Sequence, residues 1–168
     1  MNEMTPPRTI RTQVLRSETF TPFGQVLDSS GTPEKIINRG LCRRFHDRAA
    51  LDFTDGRAGL SIFDAEARTL PYDLDLLERH PEGSQAFVPM NHSEWLVTVA
   101  PDRNGVPGEP LAFIAGPGQA INLDRGVWHG VLTPLREPGL FAVVDRVGPG
   151  DNLEEHALDL PYRIERGE

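Results

Sequence analysis

The stretch Glu78-Arg79-His80-Pro81-Glu82-Gly83-Ser84-Gln85-Ala86-Phe87-Val88-Pro89-Met90 decides how this chain is read. Side chains alternate across a strand, so Glu78 and His80 point to one face and Arg79 to the other. Pro81-Glu82-Gly83 is a turn signal. Gln85 and Phe87 then share one face of the next strand. Where the two faces agree, Glu78, His80 and Gln85 converge inside a barrel. The plainer reading is a surface turn with ordinary charged residues. The density of polar groups between two strongly apolar strands weighs against it.

A second stretch, Gly118-Gln119-Ala120-Ile121-Asn122-Leu123-Asp124-Arg125-Gly126-Val127-Trp128-His129, adds another imidazole. Together the two resemble the cupin motifs. Glu78, His80 and Gln85 stand at the ligand positions of the first motif. Gly118, Gly126 and His129 keep the spacing of the second, with Asp124 in place of its proline. One histidine of the pattern is thus replaced by Glu78, and its glutamate by Gln85. Two imidazoles and a carboxylate (His80, His129, Glu78) can hold a divalent ion. An amide is a poor ligand, however, and exchanging glutamate for it removes a charge. A divalent-ion site and a metal-free acid–base pocket therefore both remain open, and neither demands a further cofactor.

Outward from these motifs the chain is dense in turn signals, with 16 glycines and 15 prolines. Apolar or alternating segments lie at Thr9 to Leu15, Gln25 to Leu27, Gly59 to Ala65, Tyr72 towards Glu78, Ser84 to Met90 and Trp95 to Ala100. Others lie at Leu111 to Ala115, Ala120 to Leu123, Val127 to Leu132 and Leu140 to Val147. Lys35 to Asp47 is broken by the turn signal Asn38-Arg39-Gly40, and Ser17 is placed to cap one helical turn with Phe20 and Phe23. About ten short strands with turns every ~8–12 residues predict a barrel or a sandwich. With the cupin resemblance, the expectation is a mainly β, cupin-like double-stranded β-helix barrel with short helices. It forms one domain over 1–168, frayed at 1–8 and 163–168, with an acidic tail at Asp151 to Glu155.

Composition narrows the function. The net charge of −8, the pI near 5.1 and the lack of a basic tract argue against a nucleic-acid partner. The single cysteine, Cys42, excludes an intrachain disulfide and a cysteine-built zinc site, and it suits a reducing compartment. No run approaches the ~20 apolar residues of a membrane span, and Met1 to Arg11 lacks a signal-peptide core. A cytoplasmic protein with no membrane partner is expected. There is no nucleophile elbow, Walker loop or dinucleotide fingerprint.

Of the five histidines, His92 and His156 are expected at the surface, and His46 is open between a strand end and a site role. Arg44 stands out because a guanidinium grips a carboxylate with two parallel hydrogen bonds. Asn38 lies upstream of it, and Arg146 ends the apolar strand Phe141 to Val144. Arg79 is out of phase with Glu78 and His80 and should face away from them. Lys35 is the only lysine.

The run from Glu78 to Pro89 resembles the signature of the bacterial ureidoglycolate lyase family. So do Arg44-Phe45-His46-Asp47, Val127-Trp128-His129, Val143-Val144-Asp145-Arg146 and Gly148 to His156. Two departures stand out: Gly130, where many members carry a second histidine, and Leu123, where some carry tyrosine. The resemblance implies a homodimer in allantoin breakdown, cleaving the small molecule (S)-ureidoglycolate to glyoxylate and urea. It implies catalytic roles for His80, His129, Glu78 and Gln85, and substrate binding by Arg44, Asn38, Ser84, Phe87, Trp128 and Arg146. The chemistry agrees, since breaking this C–N bond needs a base for the hydroxyl, an acid for the departing nitrogen and an anchor for the carboxylate. Two other readings are a metal-dependent cupin isomerase or dioxygenase, and a small-molecule-binding cupin without catalysis.

Overall fold

The computed structural model describes residues 8–168. In chain order it opens with β1 (Arg8–Arg11), β2 (Gln13–Val14), the one-turn helix α1 (Ser17–Phe20) and β3 (Gly24–Leu27). A hairpin follows, built from β4 (Lys35–Ile37), a 3-10 turn (Asn38–Gly40) and β5 (Cys42–Arg44). Next come β6 (Arg57–Asp64), β7 (Tyr72–Arg79), β8 (Gln85–Pro89), β9 (Trp95–Ala100), β10 (Asp102–Arg103) and β11 (Val106–Pro107). The chain closes with β12 (Leu111–Ala115), β13 (Ala120–Leu123), β14 (Trp128–His129), β15 (Thr133–Pro134), β16 (Leu140–Val147) and β17 (Glu154–Glu165).

Eight strands make one sheet, ordered β1-β17-β7-β14-β9-β12-β2 with β15 on β9. Its two end strands are separated in the chain by Thr12 alone, and β1 contacts β12, so the sheet curls until its ends meet. A second sheet of five strands, β3-β13-β8-β16-β6, packs against it. This is the cupin-like β-barrel expected from the motifs.

Two apolar clusters follow from this arrangement. The first lies between the sheets and includes Phe20, Phe87, Trp95, Phe113, Ile121 and Phe141. The second comes wholly from strands of the curled sheet and includes Leu74, Leu77, Leu96, Trp128, Tyr162 and Ile164. The strand β9 explains its own sequence. Trp95, Val97 and Val99 enter the first cluster and Leu96 and Ala100 the second, so no position is left for a polar residue except Thr98.

Several local expectations need correction. Ser17 is not a cap: Arg16 holds that position without a side-chain bond, and Ser17 is the first helical residue. The segment Thr9 to Leu15 is two short strands interrupted at Thr12, and Val127 to Leu132 contributes only two strand residues before the chain turns. Along β7 the period-two pattern Tyr72, Leu74, Leu76 does not hold throughout: the buried residues are Leu74 and Leu77, three apart, where the register with β17 shifts between Ala157 and Tyr162. The expected fraying is overturned at 163–165, and the acidic tail with it. Glu154 and Glu155 begin the twelve-residue β17, and Arg163–Glu165 lie between β7 and β1 with Ile164 wholly buried. Tyr162 and Ile164 alternate with Arg163 and Glu165, a period-two signal hidden by its charges. Of the N-terminal stretch, Arg8 is in β1, and the rest lies outside the described residues.

Candidate active site

Register brings the two motifs together. His129 on β14 stands directly opposite Glu78 on β7. His80 lies one residue beyond the end of β7, on the same face as Glu78. The turn at Arg125-Gly126 clasps it from the other motif, since the Gly126 N–H donates to the His80 carbonyl at 2.9 Å. The imidazoles are 5.2 Å apart between ring centres, and His129 Nε2 lies 3.5 Å from Glu78 Oε1. Across the barrel β8 supplies Gln85, and Phe87 two residues on sits against His129 at 6.4 Å.

The hydrogen bonds fix which nitrogen of each ring is free. His80 Nδ1 meets the Asn152 carbonyl at 2.6 Å, and His129 Nδ1 meets the Val127 carbonyl at 3.0 Å. A carbonyl only accepts, so each ring carries its proton on Nδ1 and presents an Nε2 lone pair. Both Nε2 atoms are buried without a hydrogen-bond partner, as is Gln85 Oε1. Buried polar groups are almost always satisfied, so three orphans in one site mark where a ligand belongs. Gln85 is oriented by its other end, where Nε2 donates to Asp145 Oδ2 at 3.2 Å. The contact with His129 holds the Glu78 carboxyl below the usual range, against burial, which raises it; the charges of His129 and His80 add to the lowering. Glu78 is therefore held as an anion beside the two imidazoles.

This donor set also fits a divalent cation. One atom each from Glu78, His80 and His129 lies within 4.8 Å of the others. Metal-bound histidines characteristically donate their second N–H to a carbonyl, as both rings do here.

Two chain segments close over this end of the barrel. Leu51 to Gly56 is latched through Ser84, whose Oγ accepts from the Asp52 N–H and whose own N–H donates to the Asp52 carbonyl. Arg125 grips the Asp52 carboxylate with two nitrogens and also bonds Thr54. Gly148 to Leu153 is held by Asn152, which accepts from the Glu82 N–H at 2.7 Å. Arg146 ties both segments, donating to the carbonyls of Thr54, Asp55 and Pro149.

The structure thus gathers Glu78, His80, His129, Gln85 and Phe87 at one place, but not the other residues expected there. Ser84 and Arg146 are occupied in holding the covering segments. Trp128 points the opposite way from its neighbour His129, into the second cluster, and donates to Asp102 at 3.0 Å. Arg44 and Asn38 are exposed on the β4–β5 hairpin, which pairs with neither sheet. Arg79 does face away, bound to Asp102 and Glu154 and stacked on Trp128 at 4.4 Å. At Gly130, where a second histidine is absent, a side chain would meet Thr98 and also Leu74 of the second cluster. Sequence reasoning missed Asn152 and the pairing of Asp145 with Gln85. Only the paired position of Asp145 and Arg146 at a strand end hinted at the latter.

Fold and site together define a cupin-like barrel with two imidazoles and a carboxylate gathered in one buried place. A family model described as ureidoglycolate lyase matches residues 7–165. The chain is 55% identical over 152 residues to a protein of Rhodobacter capsulatus named ureidoglycolate lyase, covering 90% of this chain and 94% of that one. It is 47% identical over 148 residues to ureidoglycolate lyase 2 of Rhizobium meliloti, covering 87% and 91%. A third relative, ureidoglycolate lyase of Chelativorans sp., is 45% identical over 159 residues, covering 94% and 96%. The chain belongs to the ureidoglycolate lyase family.

Proposed function

We propose that this lyase converts (S)-ureidoglycolate to glyoxylate and urea, in allantoin breakdown, as a cytoplasmic homodimer. The observation that carries the reaction is the pair of Nε2 lone pairs facing one buried space beside the Glu78 carboxylate. In the substrate one carbon bears a hydroxyl, a carboxylate and a ureido nitrogen. An Nε2 removes the hydroxyl proton, the oxygen's electron pair becomes the second bond of the new carbonyl, and the C–N bond breaks. The departing nitrogen takes that proton, so atoms balance with no water consumed. Glu78 stabilises the transient imidazolium of His129, and its anionic form is the one the site favours. Gln85 Oε1, held by Asp145, accepts a hydrogen bond from the ureido N–H groups. Phe87 and the covering segments exclude bulk water. A divalent ion on His80, His129 and Glu78 would polarise the substrate hydroxyl and lower its pKa.

The test is a coupled assay for glyoxylate with purified protein, with and without chelator. Equal amounts of glyoxylate and urea are expected. Failure to form glyoxylate, with or without added divalent ions, would overturn the reading. Loss of activity on chelation, restored by metal, would assign the triad to a bound ion.

A further inference from the structure

We propose that the β4–β5 hairpin docks on a second copy of this chain and supplies the cation that completes that copy's site. The cation's role rests on the reading above, in which the substrate is an anion.

Among the described residues the site has no free cation of its own. The arginines beside it, Arg125 and Arg146, are committed to a carboxylate and to carbonyls, and Arg79 faces away, bound to Asp102 and Glu154. The covering segments add acid through the exposed Asp55 and Asp151, and the half-buried Glu82 is tied to one of them through its N–H bond to Asn152. An anionic substrate approaching this end meets repulsion unless a positive group is brought to it.

The hairpin has the opposite character. Lys35, Arg39, Arg43 and Arg44 are its four cations and it has no acid, on a chain whose net charge is −8. Among the described residues, none of these four side chains makes a hydrogen bond or an ion pair. Lys35 and Arg44 face each other directly across the two strands. Like charges in that position repel, so an anionic surface opposite them is the stabilising complement. Leu41 at the tip is 90% exposed and Ile36 64% exposed, uncovered by the hairpin's own barrel.

A seat for those apolar residues exists on the outer face of the five-stranded sheet. Leu60, Val144 and Ala86 form one cross-strand row, and Ile62, Ala142 and Val88 the next. Leu60, Ile62 and Val88 are exposed, Val144 and Ala142 are half-buried, and Ala86 is already buried. The first row adjoins Asp145 and Gln85, so this face ends at the mouth of the site. A basic, apolar arm thus matches an apolar face with an acidic rim. Reciprocal docking of two copies closes the pair, as a two-fold interface requires.

The experiment has two arms. In sedimentation at micromolar concentration the wild type is expected at twice 18.6 kDa. Leu41→Glu should sediment as a monomer with an unchanged melting curve; a wild-type monomer, or a Leu41→Glu dimer, overturns the docking. In the second arm, Arg44→Ala, with Arg39→Ala and Arg43→Ala beside it, should raise KM by roughly 10- to 150-fold for at least one position. Arg44→Lys should not rescue Arg44→Ala, because lysine cannot form the fork. Co-expression of the impaired arginine variant with His129→Ala should restore about a quarter of wild-type activity at low substrate, since half the dimers are mixed and each has one intact site. No restoration, or an unchanged KM in all three variants, overturns the supply of the cation. Absence of glyoxylate formation by the wild type, with Leu41→Glu still dissociating the dimer, overturns the lyase reading and supports the docking.

Discussion

Trp128 and His129 are adjacent in the chain and enter different interiors of the same molecule. Trp128 is buried with its indole N–H bonded to Asp102 and its ring covered by Arg79. His129 is equally buried, yet its Nε2 has no hydrogen-bond partner. The same division runs along β7, where Leu77 packs in the second cluster while Glu78, next to it, faces the imidazoles. One side of the strand pair is a finished core, and the other holds unpaired nitrogens and a carboxylate. A sheet buried on both faces can therefore assign stability to one face and chemistry to the other by alternation alone. The unsatisfied atoms, rather than depth of burial, tell the two apart.

Exchanging the two faces' roles is the strongest way to break this comparison. His129→Asn, which keeps the position polar and of similar reach, should lower kcat by roughly 10²–10⁴-fold with little change in melting temperature. Turnover near wild type would remove His129 from the chemistry. Trp128→Ala should act inversely, losing about 3–5 kcal/mol of stability by denaturant titration. The folded fraction should keep its kcat, and a fall in kcat beyond the loss of folded protein would show that the second cluster shapes the site.

Smaller effects sharpen the boundary. Gly130→Ala forces a methyl group against Thr98 and should cost about 1–3 kcal/mol without changing KM. A raised KM would return that position to the substrate. Glu78→Gln tests the electrostatics. Because the Glu78 carboxyl titrates lower in the folded protein, its ionised form adds stability above the unfolded carboxylate range. That contribution fades as pH falls through the folded value. The wild type's stability advantage over Glu78→Gln should therefore be greatest at neutral pH and shrink in acid. A gap that is constant with pH would mean that the carboxylate is not coupled to the imidazoles.

The strands were legible where one period ruled. The segment Leu140 to Val147 alternates cleanly and is β16 as read. The β17 strand was not, because Glu154, Glu155, Arg163 and Glu165 gave it the look of a solvated tail. Pairing with both β7 and β1 buries the alternate residues, Tyr162 and Ile164. In the site, Glu78, His80, Gln85 and His129 could be read because their spacing puts them on matching faces. The arginines could not. Arg44, Arg125 and Arg146 carry the same group, and only their neighbours decide that two are spent on covering segments while one stands exposed.

Alternation, turn spacing and the two motif runs by themselves determined a mostly β barrel with Glu78, His80, Gln85 and His129 facing inward, because those features depend on periods of two and on local turns. Tertiary structure alone decided which nitrogen of each imidazole is free and what holds Gln85. It also decided that Trp128 belongs to a different core from His129, and that Arg125 and Arg146 are both engaged in holding the covering segments. Each of those outcomes depends on a partner distant in the chain, Asn152 for His80 and Asp145 for Gln85 among them, and such partners meet only when the sheets close.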